Sequence, residues 1–319
     1  MELKISRDIK GEVISPILLA GWPGMGSVGV GAIDYLRRHL DAAPIAELDL
    51  SEFFTPEAVV VENGIAKAFT DLPAHIFYYV REPELIIFES EAQVGGTGGI
   101  TLMTQILDFA SELKVKKIYT GAAFSRPISH REPVKVLGVA NCESLRDGLV
   151  PHGVEILDEG HISGLNGLLL GFAGLRDIEA ACLLATMPQY AQMMPNPKAS
   201  REIIRVFESI LGVQIDMEEI DQAAEQMDQT MFEIEDKIRV TFSSMEMEED
   251  EASELEEVDE EQVPQYVMEK IERLFEEIQQ ENSRGKAAQL KKELDRWNLY
   301  SLYEDRFLNL FRRDKEGGV

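Results

Sequence analysis

Along residues 13–190 short apolar runs alternate with stretches of helical spacing. The runs are Ile14–Ala20, Ile45–Leu50, Leu85–Glu89, Lys117–Thr120, Val134–Ala140 and Glu179–Ala185. Apolar positions at three- and four-residue intervals predict helices over Val28–Leu40, Thr101–Leu113, Cys142–Leu149 and Ser200–Leu211. Such an alternation predicts a mainly parallel sheet covered on both faces. Between the second and third strands, Ala58–Glu62, Asn63-Gly64 and Ile65–Thr70 read as a hairpin, because Asn-Gly accepts the positive φ of a type I′ turn. His75–Val80 is expected to add a third antiparallel strand to that unit before the chain turns at Arg81-Glu82-Pro83-Glu84.

The pattern then becomes helical. Ile220, Ala224, Met227, Met231, Ile234 and Ile238 form one stripe over Met217–Val240, serving the core or a subunit contact. Glu246–Glu261 holds eleven acidic residues in sixteen, a self-repelling composition that reads as a flexible linker. Val267, Ile271, Leu274 and Ile278 form a further stripe. Ala287, Leu290, Leu294 and Trp297 form another beyond Asn282-Ser283-Arg284-Gly285, and Tyr300, Tyr303, Phe307, Leu310 and Phe311 follow on a shifted face. Helices of this total length are expected to dock on the main domain or on another chain rather than stand alone. The expected division is therefore a domain over 1–240, an acidic linker over 241–263 and a helical extension over 264–319.

Composition narrows the function. The 319 residues carry a formal net charge of −27, spread over both the main domain and the tail, which opposes a phosphate backbone and excludes nucleic acid as the natural partner. Cys142 and Cys182 stand alone in apolar surroundings without metal-ligand spacing, as in a reducing cytoplasm. Neither a signal peptide nor a membrane span is read: Ile162–Leu175 is the longest uncharged apolar run, and it is short and broken by glycine. No metal or cofactor set is read from the chain.

Gly24-Met25-Gly26-Ser27-Val28-Gly29 satisfies Gly-x-Gly-x-x-Gly between a strand and a helix, with Glu47 and Asp49 where a dinucleotide site places its ribose acid. Trp22-Pro23 lengthens the turn, however, and an antiparallel insertion follows. A second glycine stretch, Gly95-Gly96-Thr97-Gly98-Gly99, would line the same sheet edge. No lysine or arginine lies between Lys10 and Arg37 or between Arg81 and Lys114, so a phosphate would rest on backbone N–H groups with Glu89 and Glu91 opposing it. His130 and Arg131, in Ser125–Pro133, are the remaining candidates for anion binding or acid–base work. The candidate ligand residues are thus Gly24, Gly26, Ser27, Gly29, Gly96, Thr97, Gly98, His130 and Arg131. His161, in Gly160–Gly167, reads as a core histidine, and no nucleophile with its base is found, so no catalytic residue is named.

Three separated elements resemble the proteasome assembly chaperone family, branch two. They are Gly21-Trp22-Pro23-Gly24-Met25-Gly26-Ser27-Val28-Gly29 with Tyr35-Leu36 in the next helix, the strand and turn from Pro56 to Asn63-Gly64, and Gly160–Gly171 followed by Met187-Pro188-Gln189-Tyr190. In the third, Gly164, Asn166, Gly167 and Gly171 carry the match. The resemblance covers roughly 13–240 and implies a three-layer α/β/α sandwich similar to the nucleoside phosphorylase fold. It also implies self-association and, in some members, a role in proteasome assembly, without an established catalytic set. Archaeal relatives dock through a C-terminal hydrophobic-Tyr-x motif, from which Gly317-Gly318-Val319 departs. The reading is a non-enzymatic, cytoplasmic, homo-oligomeric assembly chaperone or scaffold whose partners are itself and proteasome subunits or other protein clients. The alternative is a nucleotide- or nucleoside-binding enzyme or sensor using the Gly24–Gly29 and Gly95–Gly99 stretches.

Overall fold

The computed structural model describes residues 2–53, 61–67, 72–255, 270–275, 278, 284–296, 299, 303 and 306. The chain divides into two compact units, Met1–Asp236 and Lys237–Val319.

The first unit is built on a nine-stranded sheet. Its strands are β1 (Glu2–Ile5), β2 (Ile17–Gly21), β3 (Ala43–Asp49), β6 (His75–Val80), β7 (Leu85–Ser90), β8 (Lys117–Arg126), β9 (Val136–Ala140), β10 (Glu155–Ile156) and β11 (Glu179–Pro188); β4 (Val61–Glu62) and β5 (Ile65–Ala66) pair separately. The spatial order is β1-β3-β6-β7-β2-β8-β11-β9-β10. β7, β2, β8 and β11 run parallel at the centre, with β2 in register Leu19↔Ile87 on one side and Leu19↔Tyr119 on the other. On one flank β6, β3 and β1 are antiparallel to their neighbours, and on the other β9 runs antiparallel to β11. The sheet is therefore mixed rather than mainly parallel.

Two sequence expectations change with this order. β6 joins the main sheet between β3 and β7, so the Asn63-Gly64 hairpin has no third strand from it. Its turn is as expected, with Asn63 at φ 52° and Gly64 at φ 79°, while residues 58–60 and 68–70 of its expected strands lie outside the described residues. β3 stands apart from β2, beyond β7 and β6, and Asp49 is ion-paired with Lys4 of β1 at 3.0 Å. A dinucleotide half needs its second strand parallel and adjacent to the first, so Glu47 and Asp49 are not ribose acids here.

Helices cover both faces, as the alternation of elements predicts. α2 (Gly96–Glu112) and α4 (Leu165–Gly174) pack on one face around Phe77, Phe88, Leu102, Ile106 and Leu169. α1 (Val28–His39), α3 (Glu143–Leu149), α5 (Pro197–Leu211) and the start of α6 (Glu218–Leu255) enclose the other around Leu19, Ile33, Leu36, Leu183 and Phe207. Ile220, Ala224 and Met231 of the expected stripe are buried there. α5 shows local logic clearly: Asn196 caps it by accepting from Ala199 N, Pro197 opens it, and Gly212 closes it at φ 66°.

α6 does not stop near Val240. It runs to Leu255, through much of the acidic stretch read as a linker, because glutamate, methionine, alanine and leucine are all strong helix formers. Within the second unit, Ile271, Leu274, Phe275, Ile278, Leu290, Leu294 and Leu299 gather a small apolar cluster, with α7 (Arg284–Arg296) supplying Leu290 and Leu294. Among the described residues no helix is long and apolar enough to cross a membrane.

Candidate functional site

The strand β2 ends at Gly21, and the chain then turns Trp22 fully into the core, its ring 5.3 Å from that of Phe88. Pro23 and Gly24 lead into one tight helical turn, Met25–Ser27, in which Gly26 (φ 60°) and Ser27 (φ 49°) are left-handed before α1 begins. Gly26 is constrained twice, since a Cβ there would also lie 2.9 Å from Met187 Cε. At Gly29 the helix touches the sheet: a Cβ would sit 1.8 Å from the carbonyl oxygen of Gly121 in β8.

Backbone groups of this loop are consumed by the fold, while the Trp22 Nε1 is buried without a hydrogen-bond partner. Trp22 N donates to Asn166 Oδ1 at 3.2 Å, and Asn166 Nδ2 donates to Trp22 O at 3.3 Å, all within the buried interior. Thr120 Oγ1 in turn donates to Asn166 O at 2.8 Å. Gln93 Nε2 donates to Pro23 O at 2.6 Å, while its Oε1 accepts from Leu165 N at 3.3 Å. On the opposite side Gly26 N donates to Gln192 O, Asn196 N donates to Gly26 O, and Ser200 Oγ donates to Val28 O. The first and third sequence elements are thus one structural unit. Gly164, at φ 78°, starts α4 and so positions Asn166; Gly167 packs on Ile162, where a Cβ would lie 2.3 Å from Cγ2; Gly171 has open space around it.

Two clefts flank the loop. One, about 420 Å³, lies at the carboxyl ends of β2 and β8 and is lined by Pro23, Gly24, Gly29, the Ala122–Ser125 segment and the His161–Gly164 segment. No Asp, Glu, Lys or Arg lines it. The other, about 490 Å³, lies on the α1–α5–α6 side and takes in Gly26, Ser27, Asp34, Arg38 and Glu219. The structure therefore separates Gly24 and Gly29 from Gly26 and Ser27.

The remaining candidates line neither cleft. Gly96, Thr97 and Gly98 form the first turn of α2 rather than a loop, with Gly98 close to Val94 and Phe53 and Thr97 O accepting from Thr101 Oγ1. His130 is buried beside Tyr190 and Glu235: its N donates to Tyr190 OH at 3.2 Å, its Nδ1 lies 3.0 Å from Glu235 Oε2, and Tyr190 OH donates to Glu235 Oε1 at 3.0 Å. Burial first, and then the carboxylate beside it, push the Tyr190 hydroxyl up to about 12. Lys198 completes the cluster, donating to His130 O at 2.7 Å and pairing with Asp228. Arg131 lies over the Phe232 ring. A carboxylate thus stands where an anion would have to bind, and the group ties the 127–133 loop to α6.

Gln93, Thr120 and Gly121 carry the loop yet are not among the residues singled out from sequence. Gly121 had a readable signal, because a glycine inside an apolar strand marks close backbone approach. Gln93 had none.

Below the loop, Glu89 at the end of β7 pairs with Arg37 Nε at 2.7 Å, but Arg37 also serves Asp34, and Glu89 Oε1 is buried without a partner. Burial outweighs the guanidinium and pushes the Glu89 carboxyl up to about 7. Because the folded value lies above the unfolded one, Glu89 stabilises the protein at low pH and loses that contribution as pH rises toward 7. Glu89→Gln is therefore expected to gain about 1–2 kcal/mol over wild type on going from pH 4.5 to 7.5. Urea denaturation across that range checks it, and parallel profiles for the two proteins would contradict it.

A model of the PAC2 family matches residues 18–235. An uncharacterized protein of Methanocaldococcus jannaschii is 28% identical over 216 residues, covering 67% of this chain and 80% of the relative. Among solved structures, Pyrococcus furiosus PbaB, an archaeal proteasome activator, superposes with a TM-score of 0.62 at 26% identity, covering 73% of this chain and 98% of its own. Pyrococcus furiosus PbaA, an archaeal homolog of proteasome-assembly chaperone, gives 0.59 at 22% identity, covering 79% and 99%, and shares the fold. A PAC2 family protein from Streptomyces avermitilis gives 0.58 at 21%, covering 69% and 95%.

Proposed function

This chain belongs to the PAC2 family, and on that premise we propose that it is a non-enzymatic, self-associating cytoplasmic protein that chaperones or scaffolds the assembly of protein clients, proteasome subunits foremost. The observation that carries the reading is the match of 73% of the chain to almost the whole of an archaeal proteasome activator. The glycine loop supports it. Its backbone groups at Trp22, Pro23 and Gly26 are spent on Asn166, Gln93, Gln192 and Asn196, as in a structural joint. Two free cysteines, one of them buried, suit a reducing compartment.

Affinity capture of the tagged full chain from its own cells tests the reading. Proteasome subunits are expected to be enriched over a tagged unrelated acidic protein, and no enrichment would remove them as clients.

One observation favours a second reading. The 420 Å³ cleft beside Gly24 and Gly29 sits at the carboxyl edge of the parallel strands, where α/β proteins bind ligands. With His161 as the one ionisable side chain besides an otherwise uncharged lining, it suits an uncharged nucleoside better than a nucleotide. A melting-temperature rise with nucleosides but not with inorganic phosphate, abolished by Ser163→Phe at the exposed cleft wall, would favour this reading. No rise with any nucleoside would remove it.

A further inference from the structure

Helices α2 and α4 lie side by side and run in the same direction. Gly99 at the start of α2 approaches Leu165 at the start of α4, and Asp108 near the end of α2 is ion-paired at 2.5 Å with Arg176, just beyond α4. Their inner sides are buried in the core. Their outer side presents Ile100, 55% exposed, Leu168, 50% exposed, and Leu175, 84% exposed, with open space at Gly171. The polar residues there are muted: Thr101 Oγ1 donates to Thr97 O and Thr104 Oγ1 to Ile100 O, both within the helix. From Ile162 to Leu175 there is no acidic or basic residue, in a chain whose net charge is −27.

That contrast identifies the occupant. Two copies of so acidic a chain repel wherever their charged surfaces meet, and the cost is least where neither brings net charge. The α2–α4 face meets this condition. Its rim pair, Asp108 with Arg176, carries both signs, so a two-fold arrangement can set acid against base. A basic partner, by contrast, would be drawn to the acidic surfaces. An apolar centre with a paired polar rim is the ordinary anatomy of a self-interface, and the missing side chain at Gly171 lets a second helix come close.

We infer that the outer face of α2 and α4 is where two copies of this chain pair about a two-fold axis, an inference that rests on the self-association proposed above. The test is sedimentation equilibrium of the full chain across the micromolar range. It compares wild type with the double variant Leu168→Glu, Leu175→Glu, and with a charge-matched control, Ile14→Glu, Met193→Glu, at two exposed positions outside these helices. All four sites are at least half exposed, so circular dichroism and melting temperature are expected to stay unchanged. Wild type and control are expected to associate alike, with self-affinity reduced about 100-fold or more in the α4 double variant. Equal affinity in all three, or equal loss in both variants, overturns the surface assignment and leaves self-association standing. A wild type that remains monomeric throughout overturns both.

Discussion

Gly29→Ala is expected to cost about 3 kcal/mol or more, enough to leave the protein largely unfolded under mild denaturant. The added methyl would sit 1.8 Å from Gly121 O and 2.3 Å from Gly121 C. Both are backbone atoms, so no rotamer change relieves the contact. The helix must instead lift from β8, and it carries Val28, Ala32, Ile33 and Leu36, all fully buried, with it. The partner site is close too, though less severely, since a Cβ at Gly121 would lie 3.0 Å from Gly29 Cα. Gly148→Ala, in α3 with nothing within 4 Å, is the matched control and is expected to be neutral or to stabilise by about 0.5 kcal/mol. Urea midpoints of the three proteins decide the matter. Near-equal midpoints for Gly29→Ala and wild type would mean that the helix–strand contact is not as close as described.

This result also bears on the pattern Gly-x-Gly-x-x-Gly. In a dinucleotide fold its last glycine allows close helix–strand packing, and Gly29 does that work here without the rest of the site. The motif was legible in sequence, but its meaning was set by groups far along the chain. Gly26 answers to Met187 and Gln192, Trp22 to Asn166, and Pro23 to Gln93. Spacing along a sequence cannot announce such partners.

The central strands and most of the helices were legible because they carry a clear apolar period; α4, apolar nearly all round, carries none. β1 was not: Glu2–Ile5 is mostly exposed, held by backbone pairing to β3, and leaves no apolar signature. Strand order was not legible either, since apolar strength says that β3 and β6 are buried in a sheet but not beside whom. The second glycine stretch opens α2 instead of forming a loop, because glycine also tolerates a first helical turn. Gly98 lies against Phe53 and Gly99 against Val94 O, so these residues mark close packing at a helix start.

Asn166→Asp is expected to cost about 3–5 kcal/mol at neutral pH, and the deficit is expected to shrink on acidification. The amide of Asn166 accepts from Trp22 N and donates to Trp22 O. An ionised aspartate keeps the first bond but turns a buried negative oxygen on the Trp22 carbonyl. Burial and that carbonyl raise the folded pKa of the introduced carboxyl above its unfolded value of about 4. A group raised in the folded state stabilises below its unfolded pKa and loses that contribution as pH rises through the folded one. The protonated acid, moreover, can donate to Trp22 O as the amide does. Asn166→Leu removes both bonds and leaves the buried N–H and C=O of Trp22 unpaired, at a cost of about 2–4 kcal/mol that does not depend on pH. The distinguishing measurement is the stability difference from wild type at pH 5 and pH 8: it should widen for aspartate and stay constant for leucine. If the aspartate deficit is the same at both values, the two-point bond to Trp22 does not hold the glycine loop, and the joint must rest on Gln93 and the Gly29–Gly121 contact instead.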